Sequence, residues 1–239
     1  IDGAQEAVNL EGYIFRDDEV GQQFARSLVA AAQRGVAVRL LVDWIGRLGT
    51  PRSFFTEMRR RGVDVRLFNP PGFRAWLGFV PRDHRKLLVV DGRAGVTGGI
   101  GIGQEWKTGV LKQRRAPWRD TAVLIEGDAA SDMTQAFDRM WRRALGAERR
   151  GSHRHLTRPA RSTHLDPSVH PPALVGIIEG EPGRFRVSRA LLIQAVSAER
   201  SIWIASAYFA PSPSEVEALT GAARDGVDVR VLVPSRYDH

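Results

Sequence analysis

Apolar positions along the chain follow two periods, one that suits strands and one that suits amphipathic helices. Residues 8–15, ending in Tyr13-Ile14-Phe15, predict a strand. An amphipathic helix over 19–34 follows, then Gly35 and the strand Val36-Ala37-Val38-Arg39-Leu40-Leu41-Val42. The same order returns near the other end. A strand over 201–209, ending in Ala207-Tyr208-Phe209, precedes a helix over 213–224, then Gly226 and Val227-Asp228-Val229-Arg230-Val231-Leu232-Val233. A weaker third copy is Arg60-Arg61-Gly62-Val63-Asp64-Val65-Arg66-Leu67-Phe68. A glycine closing each helix and a strand just beyond it predict α/β layering with a largely parallel sheet.

The repeat sets the expected domains. Residues 1–150 form a first unit and 173–239 a second, shorter one that matches only the start of the first. Residues 151–172, rich in Arg, His, Ser and Pro, read as a basic linker. The chain opens on Ile1-Asp2 with no initiator Met or signal pattern, which suggests a processed or excised piece. Leu87-Leu88-Val89-Val90 reads as a further buried strand, and Asp91-Gly92 as the turn after it. Phe137 and Trp141, at helical spacing, read as core.

Composition narrows the chemistry. The 239 residues include no Cys, which excludes disulfides, thiolate catalysis and Cys-ligated metal clusters. His153, His155, His164 and His170 lie in the basic linker with few carboxylates, which argues against a metal site. No cofactor motif is present, and the run Gly98-Gly99-Ile100-Gly101-Ile102-Gly103 fits no dinucleotide-binding register. No apolar run reaches the ~18 residues of a spanning helix. The net charge of +8 favours polyanionic partners: lipid phosphates, an anionic membrane surface or nucleic acid. Eight arginines between Arg139 and Arg161 face Glu148 alone, a pattern of a solvated linker and helix end more than of a binding patch.

The most informative segment is Arg82-Asp83-His84-Arg85-Lys86. His84 and Lys86 stand two apart at the leading end of a strand and so share a face. A neutral imidazole can attack phosphorus, and a neighbouring ammonium can hold phosphoryl oxygens and neutralise developing charge. Just upstream, Phe73, Trp76 and Phe79 surround Arg74; they fit either a membrane contact beside the site or a core-facing element. Asp43 ends a strand where α/β sites cluster, and turn formation explains it equally well.

His84-x-Lys86-x4-Asp91, followed by Gly98-Gly99, resembles the HxKxxxxD motif of the phospholipase D superfamily. Trp118-Arg119-Asp120-Thr121, Ile125-Glu126-Gly127, Leu10-Glu11-x-Tyr13-Ile14-Phe15 and Phe68-Asn69-Pro70 extend the resemblance to bacterial cardiolipin synthases. It implies an α-β-α sandwich, a mixed, mostly parallel sheet with helices on both faces, in which two motif-bearing halves meet at one cleft, and catalysis without a metal or other cofactor. The implied catalytic set is His84, Lys86, Asp91 and Asp120. His84 is the nucleophile that forms a phosphohistidine, Lys86 binds phosphoryl oxygens, and Asp120 accepts a hydrogen bond from the His84 ring. Asp91 is mostly a structural partner near the turn. Gly98, Gly99 and Gly101 line the substrate. The implied reaction joins two phosphatidylglycerols into cardiolipin at a membrane, the bacterial inner membrane. The alternatives are a dimeric phosphodiesterase or nuclease and a non-catalytic module that binds anionic lipid or nucleic acid.

Two departures stand against the resemblance. Gly101 replaces an expected Asn. The sequence also holds one His-x-Lys where the family uses two, so the second histidine is expected from a homodimer partner or an absent C-terminal half.

Overall fold

The structure is a computed structural model and describes residues 1–70, 81–107, 117–146, 173–180 and 185–234. The linker 151–172, with its four histidines, lies outside the described residues, as do Phe73, Trp76 and Phe79. The chain divides into two compact units, Ile1–Ile177 and Ile178–His239.

The first unit holds a six-stranded sheet. Its strands are β1 (Ala7–Gly12), β2 (Ala37–Asp43), β3 (Asp64–Phe68), β4 (Leu87–Val90), β5 (Ala94–Gly98) and β6 (Ala122–Glu126), in the order β3-β2-β1-β4-β5-β6. β1, β2 and β3 run parallel; β4 pairs antiparallel with β1, β5 with β4, and β6 with β5. The sheet is mixed, as expected, but its parallel part stops at β1. A hairpin joins β4 to β5, and no crossover helix intervenes. The strand expected over 8–15 ends at Gly12, and Phe15 makes only an isolated bridge to Ile102.

Helices α1 (Glu19–Gln33) and α2 (Arg52–Arg60) cover one face of this sheet. Val8, Leu10, Val38, Leu40, Val42 and Val65 point that way and pack with Leu28, Phe54, Phe55 and Met58. Helix α3 (Asp128–Gly146) covers the other face, where Leu41, Phe68, Leu87 and Val89 meet Met133, Phe137, Met140 and Trp141. Alternate residues of β2, β3 and β4 thus feed opposite cores, the arrangement of a sheet buried on both sides. The α3 face also carries a buried polar stripe. Arg39 donates to Asn9 at 2.8 Å, pairs with Asp138 at 2.8 Å and lies over the Phe137 ring.

The repeat has a common physical cause. Gly35, Gly62 and Gly226 all adopt left-handed φ, at 90°, 96° and 92°. After each, the next residue's N–H closes the same helix-ending bond: Val36 to Ala31, Val63 to Met58, Val227 to Ala222. Glycine reverses the chain there at no steric cost, and the strand starts within two residues.

The second unit has α4 (Arg186–Val196), β7 (Ser201–Ala205), α5 (Pro213–Arg224) and β8 (Asp228–Leu232). β7 and β8 pair in parallel. Ser212 and Glu215 cap α5 reciprocally.

Candidate active site

His84 and Lys86 lie just before and at the approach to β4, beside the ends of β1 and β2. Antiparallel pairing of β4 with β1 sets Leu87 opposite Glu11, so the residues before Leu87 continue past the end of β1. His84 therefore meets the turn after β1. Its ring packs on Tyr13 with centroids 4.4 Å apart and planes at 52°.

Lys86 Nζ lies 3.4 Å from His84 Nδ1 and donates to the His84 carbonyl at 3.1 Å. The same ammonium stands 5.9 Å from the Tyr13 ring centroid. Thr97 Oγ1 on β5 donates to the Lys86 carbonyl at 2.9 Å, fixing the start of β4. Burial, then the Lys86 charge, holds the His84 imidazole below the ordinary histidine value, against the pull of Asp43 and Asp83. Burial also lowers Lys86, against the pull of Asp120 and Asp83. The shift favours the neutral imidazole, the form with a lone pair to give.

Two buried anchors flank the histidine. Arg85 donates to both Glu11 oxygens, from Nε at 2.7 Å and Nη2 at 2.9 Å. The Asp83 N–H donates to Asp43 Oδ2 at 2.9 Å. Glu11 and Asp43 are each 1% exposed and Asp83 3%. Burial, and then the Asp83 charge beside it, push the Glu11 carboxyl well above the usual carboxylate range.

The family model described as "Cardiolipin synthase, PLD-like domain" matches residues 1–141, which contain this whole arrangement. The chain belongs to that family. The match of this PLD-like domain reaches further in individual relatives. A cardiolipin synthase of Geobacillus kaustophilus is 36% identical over 245 residues, covering 100% of this chain and 46% of the relative. One of Halalkalibacterium halodurans is 33% identical over 248 residues, covering 97% of this chain and 45% of the relative. The chain spans about half the length of the curated relatives it matches. The phosphatidylserine synthase structure from Haemophilus influenzae aligns with TM-score 0.62 at 12% identity, over 97% of this chain and 57% of that one, a likeness of fold.

In this PLD-like domain the implied residues do not all converge. His84 and Lys86 meet. Asp120 does not reach the imidazole: among the described residues the ring's hydrogen-bond partner is Lys86. Asp120 instead accepts from the Thr121 N–H at 3.0 Å, and its charge acts on Lys86. Asp91 sits at the far end of β4, roughly 20 Å along an extended strand from His84. There it accepts the N–H groups of Gln5, Glu6 and Ala7 at 2.8–2.9 Å. Gly98 ends β5 and Gly99 follows it beside Asp120; a Cβ on Gly99 would overlap the Asp120 carboxylate. Gly101 lies under the Trp106 ring, where a Cβ would clash, so the space an Asn side chain needs is filled by indole.

Sequence reasoning missed Tyr13, Glu11, Asp83 and Arg85 as supports. One signal was available for Glu11: a carboxylate within an otherwise apolar strand, a position that demands a partner.

Proposed function

We propose that this chain carries phosphatidyl transfer through a covalent His84 intermediate, with phosphatidylglycerol as substrate and cardiolipin as product. The observation that carries the reading is the His84–Lys86 pair: an imidazole with an ammonium 3.4 Å from its Nδ1, locked by anchors on both neighbours. The His84 ring nitrogen attacks the phosphodiester phosphorus. The P–O bond to one glycerol breaks, and that glycerol leaves with a proton. The hydroxyl of a second phosphatidylglycerol then attacks phosphorus and the P–N bond breaks. The balance is two phosphatidylglycerols to one cardiolipin and one glycerol.

Lys86 holds the phosphoryl oxygens and neutralises the charge that builds on them. The Asp120 charge favours the ammonium form of Lys86. The departing glycerol needs an acid. The sequence has one His-x-Lys, so the reading assigns that acid to a second motif, in a partner chain or in another region of the same polypeptide. The substrate is a lipid, which places the reaction at a membrane surface, the bacterial inner membrane. The +8 net charge suits an anionic one. Among the described residues no helix is long and apolar enough to cross a membrane.

The test is mass spectrometry of lipids and protein after incubation with phosphatidylglycerol vesicles and EDTA, beside His84→Ala. Cardiolipin, or a phosphatidyl adduct on His84, from the wild type alone is the expected result. Phosphatidic acid without cardiolipin would replace transfer by hydrolysis. Neither adduct nor product from folded protein, assayed with the second His-x-Lys motif present in the same polypeptide or in a partner chain, would overturn the reading.

A further inference from the structure

We propose that Asp43 is a positioning residue for His84: it fastens the backbone immediately before the nucleophile to the end of β2, and so fixes where the imidazole stands. The inference deepens the reading of His84 as nucleophile and rests on it.

Asp43 is the last residue of β2 and is 1% exposed. Its two oxygens do different work. Oδ1 accepts the N–H groups of Ile45 at 2.8 Å and Gly46 at 3.4 Å, closing the loop that follows its own strand. Oδ2 accepts the Asp83 N–H at 2.9 Å, from a residue 40 positions away in sequence and next to His84. A residue present only to shape its own turn needs the first oxygen and not the second. Arg82 stands 3.4 Å from Oδ1, so residues 82 and 83 are both tied to this one carboxylate.

A second route leads from the same loop to the same ring. Gly46 abuts the Tyr13 backbone so closely that a Cβ would overlap the Tyr13 carbonyl oxygen and press on the Tyr13 ring. Tyr13 in turn packs on the imidazole at 4.4 Å. The loop shaped by Asp43 Oδ1 therefore backs the aromatic wall of His84, while Oδ2 holds its backbone. Among the described residues the charged groups acting on the ring are Asp43, Asp83 and Lys86, with Tyr13 against its face. Of these, Asp43 and Asp83 favour the imidazolium and Lys86 opposes it.

Asp43→Asn tests the idea because an amide cannot do both jobs. One of its two ends must present NH2 to an N–H donor. The expected result has two parts. In the lipid assay, kcat falls roughly 10–100-fold with KM little changed, as for a lost supporting partner. By NMR of ring-labelled histidine, with the His84 signal identified by its loss in His84→Gln, the His84 titration moves to lower pH, because an anion that favours imidazolium is gone. A purely structural Asp43 would lower the melting temperature and leave kcat per folded molecule where it was, whatever the lost charge does to the titration; such a result in folded variant overturns the proposal. Should the variant not fold, the wild type still decides. The Asp83 N–H lies outside β4, yet it must resist hydrogen exchange like a strand amide; free exchange overturns the proposal too. The NMR readouts need no turnover, so their failure is distinct from failure of phosphatidyl transfer, which the His84→Ala lipid assay reads separately.

Discussion

The Asp120 carboxylate lies against the Cα of Gly99, in the space that a Cβ would occupy. Its charge acts on Lys86. The glycine is thus required by a neighbour across the β5–β6 ladder more than by its own backbone. Gly99→Ala should push Asp120 aside and remove one of the two carboxylates that favour the Lys86 ammonium. Transfer activity is expected to fall about 10-fold or more, with binding of anionic vesicles retained. An alanine variant as active as wild type would show that Asp120 has no hold on the reaction.

The neutral imidazole carries a pH signature. Burial and Lys86 hold His84 below the ordinary value of 6.5, so protonation that removes the nucleophile sets in at a lower pH. The acid limb of the rate profile should therefore lie below pH 6.5. Lys86→Met removes the neighbouring cation and should move that limb upward, while lowering the maximal rate. A limb at or above 6.5 in the wild type would contradict the neutral-histidine reading.

The local part of this architecture was legible in the sequence. The helix–Gly–strand units were read from three short strings because the left-handed glycine and the bond across it are decided within six residues. His84 and Lys86 were read from their spacing, their chemistry and the resemblance together, and the structure brings them within 3.4 Å of each other just before β4. The supports of the site were not legible. Glu11 and Arg85 are 74 residues apart, Asp43 and Asp83 40 apart. They meet because β4 inserts antiparallel next to β1, at an edge the repeat alone would give to another parallel strand. Asp120 illustrates the converse. Its motif was recognised, but the partner it faces is set by how β5 and β6 pair, and it faces Lys86.

The Glu11–Arg85–Asp83 cluster makes a double-variant prediction. Arg85→Met leaves two buried carboxylates facing each other without their cation. It should cost about 3–5 kcal/mol, the usual penalty for breaking a buried pair from one side. Adding Glu11→Gln should restore much of that loss, because the unpaired charge is then removed. Urea denaturation of the two singles and the double gives the coupling directly. Strictly additive costs would mean that the cluster is not coupled.

Gly101 stands where the resemblance called for Asn. Restoring that side chain should not improve the site. Gly101→Asn must displace the Trp106 indole, which packs edge-on against Trp118 at 5.1 Å. Overpacking of this kind costs about 1–3 kcal/mol. Tryptophan fluorescence should shift as the pair separates. A variant with unchanged fluorescence and higher activity would mean that the indole yields and the amide reaches substrate.

Asp91 gives the sharpest contrast between motif membership and chemical role. It and Gly92 adopt left-handed φ of 52° and 64° in the loop joining β4 to β5, a conformation Asp tolerates better than most residues. Its carboxylate gathers three N–H groups at the start of β1. Burial works against ionisation, but the three bonds and Arg93 outweigh it and hold the group below the usual aspartate value. A carboxyl whose pKa falls on folding adds stability above its unfolded value, and that stability is lost as pH drops through the folded one. Asp91→Asn should therefore cost about 1–2 kcal/mol near neutral pH, and the gap to wild type should close as pH falls below 3.8. The rate of transfer per folded molecule and the His84 titration should be unchanged, because the loss occurs at the opposite end of β4. If the variant instead kept full stability but lost transfer, Asp91 would belong to the reaction and not to the hairpin.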